Sequence, residues 1–224
     1  ISGTGFGAAQ GSSTVVFNGT AATPTSWSDT SIAVPVPAGA TSGNVVVAEG
    51  ASVSNGVSFT VTLTNYLDAA TATLDIAGSI GQWETWYGLA STSPLSQSTV
   101  AEHDGTYGLS ITTTGPGDYW GVQLANYPGF AASSGEATIS FWASAGPGSS
   151  STGTTLTVEW LDSNGNILAT NSVAVPGTLT SAWTQASAKV AAPQGTASVI
   201  VFLSGQMATG SIIYADTLFV GSSD

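Results

Sequence analysis

The residues able to do acid–base or metal chemistry in this chain are few. Among 224 residues His103 is the only histidine, Lys189 is the only basic side chain and cysteine is absent. A zinc ion takes three or four His, Cys or carboxylate ligands, so one histidine without cysteine argues against it. No G-x-S-x-G elbow is present to carry a serine nucleophile, and His103 beside Asp104 reads as a solvated turn residue. Gly3-Thr4-Gly5-Phe6-Gly7-Ala8 matches the spacing of a dinucleotide fingerprint. Neither a useful strand before it nor a helix after it is expected, so the match is spurious. Glu84, Glu102, Glu136 and Glu159 supply carboxylates of the kind that cleave glycosidic bonds in pairs, but their spacing singles out no pair. What remains is 7 Trp and 6 Tyr rings among amides and hydroxyls. That set stacks and hydrogen-bonds, and the chain is read as non-enzymatic.

The balance of charge removes further classes. Asp and Glu number 13, giving a net charge of −12. A nucleic-acid binder neutralises phosphates with clusters of Lys and Arg, and an anionic membrane surface demands the same. Neither partner suits one lysine. No apolar run approaches the roughly 18 residues of a membrane span. No signal peptide opens the sequence, which reads as a mature form or a fragment. Charged residues make up only 6%, against about a quarter in most soluble domains. The surface must then be covered by Ser, Thr, Asn, Gln and Gly. Such a surface suits an extracellular protein, and equally one that lies against copies of itself.

The elements that position these residues are strands. No stretch of ten or more residues shows the helical spacing of apolar positions. Short alternating or β-branched runs recur instead, including Thr14–Phe17, Asn44–Ala48, Ala137–Ala143, Thr154–Leu161, Thr196–Leu203 and Ser211–Val220. Turn pairs such as Asn18-Gly19, Asn55-Gly56 and Asp104-Gly105 punctuate them. The fold class is all-β. Six of the seven tryptophans and all six tyrosines lie beyond residue 63. This change of texture divides the chain into residues 1–63 and 64–224. The low-complexity stretch Gly146–Gly153 is expected as a mobile loop inside the second part.

Ile1-Ser2-Gly3-Thr4-Gly5-Phe6-Gly7, Val16-Phe17-Asn18-Gly19, Trp27-Ser28-Asp29-Thr30-Ser31-Ile32, Val36-Pro37-Ala38-Gly39-Ala40 and Gly56-Val57-Ser58-Phe59-Thr60-Val61 follow one another in the first part. Together they resemble the TIG (IPT) immunoglobulin-like domain. Alternation places Val15, Phe17, Ile32, Val34, Val46 and Phe59 inward. The resemblance implies a spacer, adhesion platform or partner-binding module. Members usually open with one more strand, whose absence here implies either a longer precursor or a gap filled by a strand from a neighbouring copy.

The second part carries Glu102-His103-Asp104-Gly105-Thr106-Tyr107-Gly108-Leu109, Ile139-Ser140-Phe141-Trp142-Ala143, Val158-Glu159-Trp160-Leu161-Asp162, Ala192-Pro193-Gln194-Gly195 and Tyr214-Ala215-Asp216-Thr217-Leu218. These resemble the jelly-roll carbohydrate-binding modules appended to polysaccharide-active enzymes. A sugar site in that fold needs aromatic faces for pyranose rings and polar groups for hydroxyls. In Asp118–Leu124, alternation puts Trp120, Val122 and Leu124 on one side, and Tyr119, Gly121 and Gln123 on the other. By the same reasoning Phe141 is core and Trp142 faces away, while Trp83, Trp86 and Tyr87 sit in a turn-rich flanking loop. The candidate glycan-binding residues are therefore Trp83, Trp86, Tyr87, Tyr119, Gln123 and Trp142; core or rim packing is the alternative for each. The resemblance also implies one structural calcium ion near the first and last strands, with Asp75, Asp104 and Asp216 as candidates and Asp68 competing with Asp75. Calcium takes oxygen ligands, and only those are on offer.

Two functions follow as expectations. One is a structural or adhesive surface protein, secreted and assembling by strand complementation with copies of itself or other surface proteins into a filament or layer. The other is a glycan-binding accessory module of a longer secreted enzyme or adhesin. A glycosidase using Glu159 is the third and least supported.

Overall fold

The computed structural model describes residues 1–37, 40–49, 52–90 and 94–223, and the chain divides into two compact units, Ile1–Thr62 and Leu63–Ser223. The first holds β1 (Thr14–Phe17), β2 (Thr20–Ala22), β3 (Ser26–Ser28), β4 (Ser31–Ala33), β5 (Gly43–Glu49), β6 (Ser52–Val53) and β7 (Val57–Phe59). Asn18 and Gly19 close a two-residue hairpin at φ +41° and +90°, the left-handed pair that matches strand twist. One sheet runs β2-β1-β5-β6, with β7 also pairing β5, and β3 pairs β4 separately. Val15, Phe17, Ile32 and Val47 form the buried core, with Phe6, Trp27, Val34, Val45 and Phe59 packed on it. Val47 and Val45 therefore take the inward place expected of Val46. The pairing Val15↔Val47 decides it, because directly opposed residues share a face. A run of three valines has no alternation of its own. The opening residues lie along β4, with the Gly3 amide donating to the Thr30 carbonyl and the Ile32 amide to the Ile1 carbonyl. Beside them an apolar groove of about 590 Å³ is lined in part by Phe6, Phe17, Val45, Val57 and Phe59. Ala38 and Gly39 of the expected Pro37-Ala38-Gly39 turn lie outside the described residues.

The second unit opens with β8 (Leu63–Asn65) and the single helical turn α1 (Ala69–Ala72), capped by Asp68, whose carboxylate accepts from the Thr71 amide at 2.8 Å. It continues through β9 (Trp83–Tyr87), β10 (Leu95–Ser98), β11 (Gly108–Thr112), β12 (Tyr119–Leu124), β13 (Phe130–Ala131) and β14 (Gly135–Ala145). Then come β15 (Ser150–Leu161), β16 (Ile167–Ala174), β17 (Thr178–Leu179), β18 (Thr184–Ala192), β19 (Ser198–Thr209) and β20 (Ile212–Ser223). One antiparallel sheet runs β10-β11-β20-β14-β18, with β8 pairing β20. The other runs β16-β15-β19-β12-β9, with β13 on β19 and β17 on β15. Between them Trp120, Trp160, Phe141, Leu109, Ile139, Leu156 and Leu203 are fully buried. Facing sheets with alternating inward residues make a jelly-roll sandwich.

Two expectations about local structure are corrected. Gly146–Gly153 is a tight turn running straight into β15, not a loop. The Ser149 amide closes on the Gly146 carbonyl at 2.9 Å. Ser151 is buried and accepts from the Trp120 indole at 3.2 Å while donating to the Gln206 carbonyl at 3.0 Å. Small hydroxyl residues look like a linker by composition, yet here they satisfy buried donors. Likewise Trp83–Tyr87 is a strand on the sheet edge, not a loop, because its Trp and Thr positions suit a pleated surface beside β12.

Candidate functional site

The outward face of the β16-β15-β19-β12-β9 sheet gathers most of the candidate residues. Register puts Glu84, Gln123, Phe202, Thr157 and Ser172 in one cross-strand row. The next row holds Tyr87, Gly121, Ser204 and Thr155; beyond it Tyr119 lies opposite Gln206 and that residue opposite Thr152. Strands lie about 4.8 Å apart and alternate residues about 6.6 Å apart along each, so the rings and hydroxyls form one continuous patch. Trp86 is 50% exposed, Tyr87 39% and Tyr119 65%, the opposite of what core aromatics show. A shallow hollow of about 240 Å³ is lined by Tyr87, Tyr119, Thr152, Ser204 and Gln206 with two glycines.

A bulge in β9 creates the platform. Val122 pairs Thr85 while Gly121 pairs Tyr87, so Trp86 is an extra residue and both rings turn outward, where strict alternation would send one of them into the core. The rings meet edge-on at 4.7 Å, and Trp86 also packs on Phe202 at 5.1 Å. Both rest over Gly121, where an added Cβ would lie within 3.0 Å of each. Gly88, at φ +66°, lets the strand end approach so closely that a Cβ would stand 1.8 Å from the Tyr119 carbonyl. Beside the rings the Gln123 amide donates to Glu84 Oε1 at 2.8 Å, which holds both polar groups in place.

Two proposed ring residues lie elsewhere. Trp83 is only 4% exposed and its indole donates to the Thr71 carbonyl at 3.1 Å. It is a core residue, facing inward by the same alternation that turns Glu84 out. Trp142 stands on β14, in the other sheet, where His103 stacks on it at 3.8 Å and 15°. His103 is thus half-buried against two tryptophans, Trp142 and Trp183, and not a solvated turn residue. Phe202 and Gln206, missed in the sequence, join the face through β19. Their alternation with Leu203 and Met207 was the available signal.

The acidic candidates sit around the loop 102–107. Asp216 is fully buried. Its Oδ2 accepts from the amides of His103 and Asp104 at 2.8 and 3.0 Å, and its Oδ1 from that of Thr217 at 2.6 Å. Thr217 lies in a bulge between Asp216 and Phe219 and stands at φ +48°, strained for a β-branched residue. Asp75 Oδ1 accepts from the amides of Thr106 and Tyr107 at 2.6 and 3.0 Å, holding the same loop from its other end. Asp104 contributes its backbone amide while its side chain is exposed. Asp68 is occupied as the cap of α1. Among the described residues no three acidic or histidine side chains converge on one point. The donors are nevertheless all oxygen, two carboxylates approach one another, and Lys189 is committed elsewhere by its 2.9 Å ion pair with Glu136. In charge and donor type the pair Asp75 and Asp216 fits a calcium ion.

Burial pushes the Asp216 carboxyl above its ordinary range, and the negative charge of Asp75 adds to that against the pull of the three amides. The folded chain then binds this proton more tightly than the unfolded chain. Its stabilising contribution is complete below the ordinary carboxyl value of 3.8 and is lost as pH climbs through the raised folded value. Asp162, held low by its hydrogen bonds to Asn166, acts with the opposite sign below 3.8. In metal-free buffer the melting temperature is expected to rise as pH falls from neutrality toward 4, and Asp216→Asn to flatten that slope. A melting temperature that falls over that interval would contradict the assignment.

Comparison with known proteins agrees with this architecture. Residues 1–64 match the IPT/TIG domain family. No curated protein sequence matches the chain. Among solved structures, the CBM22-1 xylan-binding domain of Paenibacillus barcinonensis Xyn10C superposes with a TM-score of 0.51 at 15% identity, covering 73% of this chain and 97% of that one. The enzymatically active domain of tailspike protein 4 from bacteriophage CBA120 gives 0.50 at 14% identity over 70% of this chain. The chain spans only 21% of that tailspike's length. At such identities the likeness concerns the fold alone, a jelly-roll β-sandwich, while the IPT/TIG match concerns residues 1–64.

Proposed function

We propose that the second unit is a non-catalytic glycan-binding module, acting outside the cell as an accessory part of a longer protein, and that the first unit serves it as spacer or partner module. The observation that carries this reading is three exposed rings, Trp86, Tyr87 and Tyr119, on one sheet face with Gln123 and rows of hydroxyls. Rings of this kind offer flat apolar area to the faces of pyranoses, and the surrounding amides and hydroxyls exchange hydrogen bonds with sugar hydroxyls. The jelly-roll likeness to a xylan-binding domain supports it. Two of the four candidate acids are engaged within the protein, Glu84 by Gln123 and Glu136 by Lys189 on the other sheet, which supports binding without chemistry. The test is retention of the purified chain on insoluble cellulose, xylan and chitin. Failure to bind any member of a broad polysaccharide panel ends the proposal.

A structural calcium ion belongs to the same reading. Asp75 and Asp216 would hold it, with carbonyl or water oxygens supplying the remaining ligands, and its charge would offset two neighbouring carboxylates. Self-assembly through the first unit is a second reading, favoured by the apolar groove beside β7 and by the scarcity of charge in that unit, where Asp29 and Glu49 are the only ionisable side chains.

A further inference from the structure

Resting on that glycan-binding reading, we infer that the face selects neutral glycan chains and turns away those bearing carboxylates. Two acids stand on it. Glu84 lies beside Trp86 at the sheet edge, and Glu159 lies on β15 between the buried Val158 and Trp160, hence pointing away from the core. Glu159 is opposite Ile200 on one side and Thr170 on the other. No basic side chain opposes them, since Lys189 stands on β18 in the other sheet, paired with Glu136.

The hydrogen-bonding inventory points the same way. A carboxylate ligand can only accept, and it is best met by charged donors. Here the two side-chain amides each spend a donor within the protein, Gln123 on Glu84 and Gln206 on the Gly117 carbonyl at 3.1 Å. The face then offers hydroxyls that both donate and accept, two carboxylates that only accept and no charged donor, a set that suits a ligand whose hydroxyls donate. A net charge of −12 over the whole chain adds a repulsive field of the same sign, acting over a Debye length of about 8–10 Å at physiological salt.

The experiment compares matched pairs: unsubstituted xylan with glucuronic-acid-substituted xylan, and a β-glucan with the same glucan oxidised to carboxylates at C6. Affinity electrophoresis is run at low and high salt. The carboxylated partner is expected to bind about tenfold more weakly at low salt and to recover as salt screens the repulsion. Glu159→Gln is expected to narrow the gap between the carboxylated and the neutral partner at low salt. Equal or tighter binding of the carboxylated partner overturns this inference and leaves glycan binding standing. Retention of neither member of any pair overturns both.

Discussion

Trp86→Ala is expected to weaken glycan retention by about thirtyfold or more, near 2 kcal/mol, as removal of a central aromatic anchor does. The ring is half exposed and rests on Gly121 and Phe202, so the fold should survive its loss. Affinity electrophoresis against the best-retained polysaccharide measures the first effect, and the denaturation midpoint checks the second. Three residues earlier, Trp83→Ala should do the reverse. That indole is buried and hydrogen-bonded to Thr71, and its removal costs about 3–5 kcal/mol of stability. Unchanged retention by both Trp86→Ala and Tyr119→Ala would place any ligand site elsewhere.

Asp216→Ala is expected to cost stability on a scale close to that of Trp83→Ala. The buried carboxylate accepts three backbone amides and pins the loop 102–107 and the left-handed Thr217. Removing it leaves those donors without their acceptor, at about 1–3 kcal/mol for each that stays buried. A total near 3 kcal/mol would lower the melting temperature by about 6–12 °C in a chain of this size. Asp216→Asn, which keeps one acceptor oxygen, should fall between the two. If a calcium ion is bound here, saturating calcium raises the melting temperature of the unaltered chain by mass action and does nothing for Asp216→Ala. A melting temperature for Asp216→Ala within 1–2 °C of the unaltered chain, well short of the ~6 °C floor, would mean that the loop is held by other contacts.

The distribution of side chains between core and surface was legible wherever alternation was strict. In Tyr119 through Leu124 the faces sorted correctly because core and outward positions alternate, with Gly121 covered on the outward face by Trp86 and Tyr87, and Phe141 parted from Trp142 in the same way. Val45–Val47 could not be sorted, since three equivalent valines leave the face to be decided by the partner strand. Trp83, Trp86 and Tyr87 looked alike as a cluster. Only the extra residue opposite Gly121 and Val122 turned two rings outward and left one inside.

By itself the sequence determined the all-β class, the change of texture near residue 63, the two resemblances, and the exclusion of chemistry that needs thiols, basic clusters or several histidines. These follow from residue type and local period, which every copy of the chain carries whatever its fold. Tertiary structure alone decided that the rings of β9 and β12 share a face with Phe202 and Gln206, that Trp142 belongs to the other sheet with His103, and that Asp75 and Asp216 hold one loop from both ends. Each of these depends on pairing between strands far apart in the chain, and register across such distances is set by bulges and by the whole core packing at once.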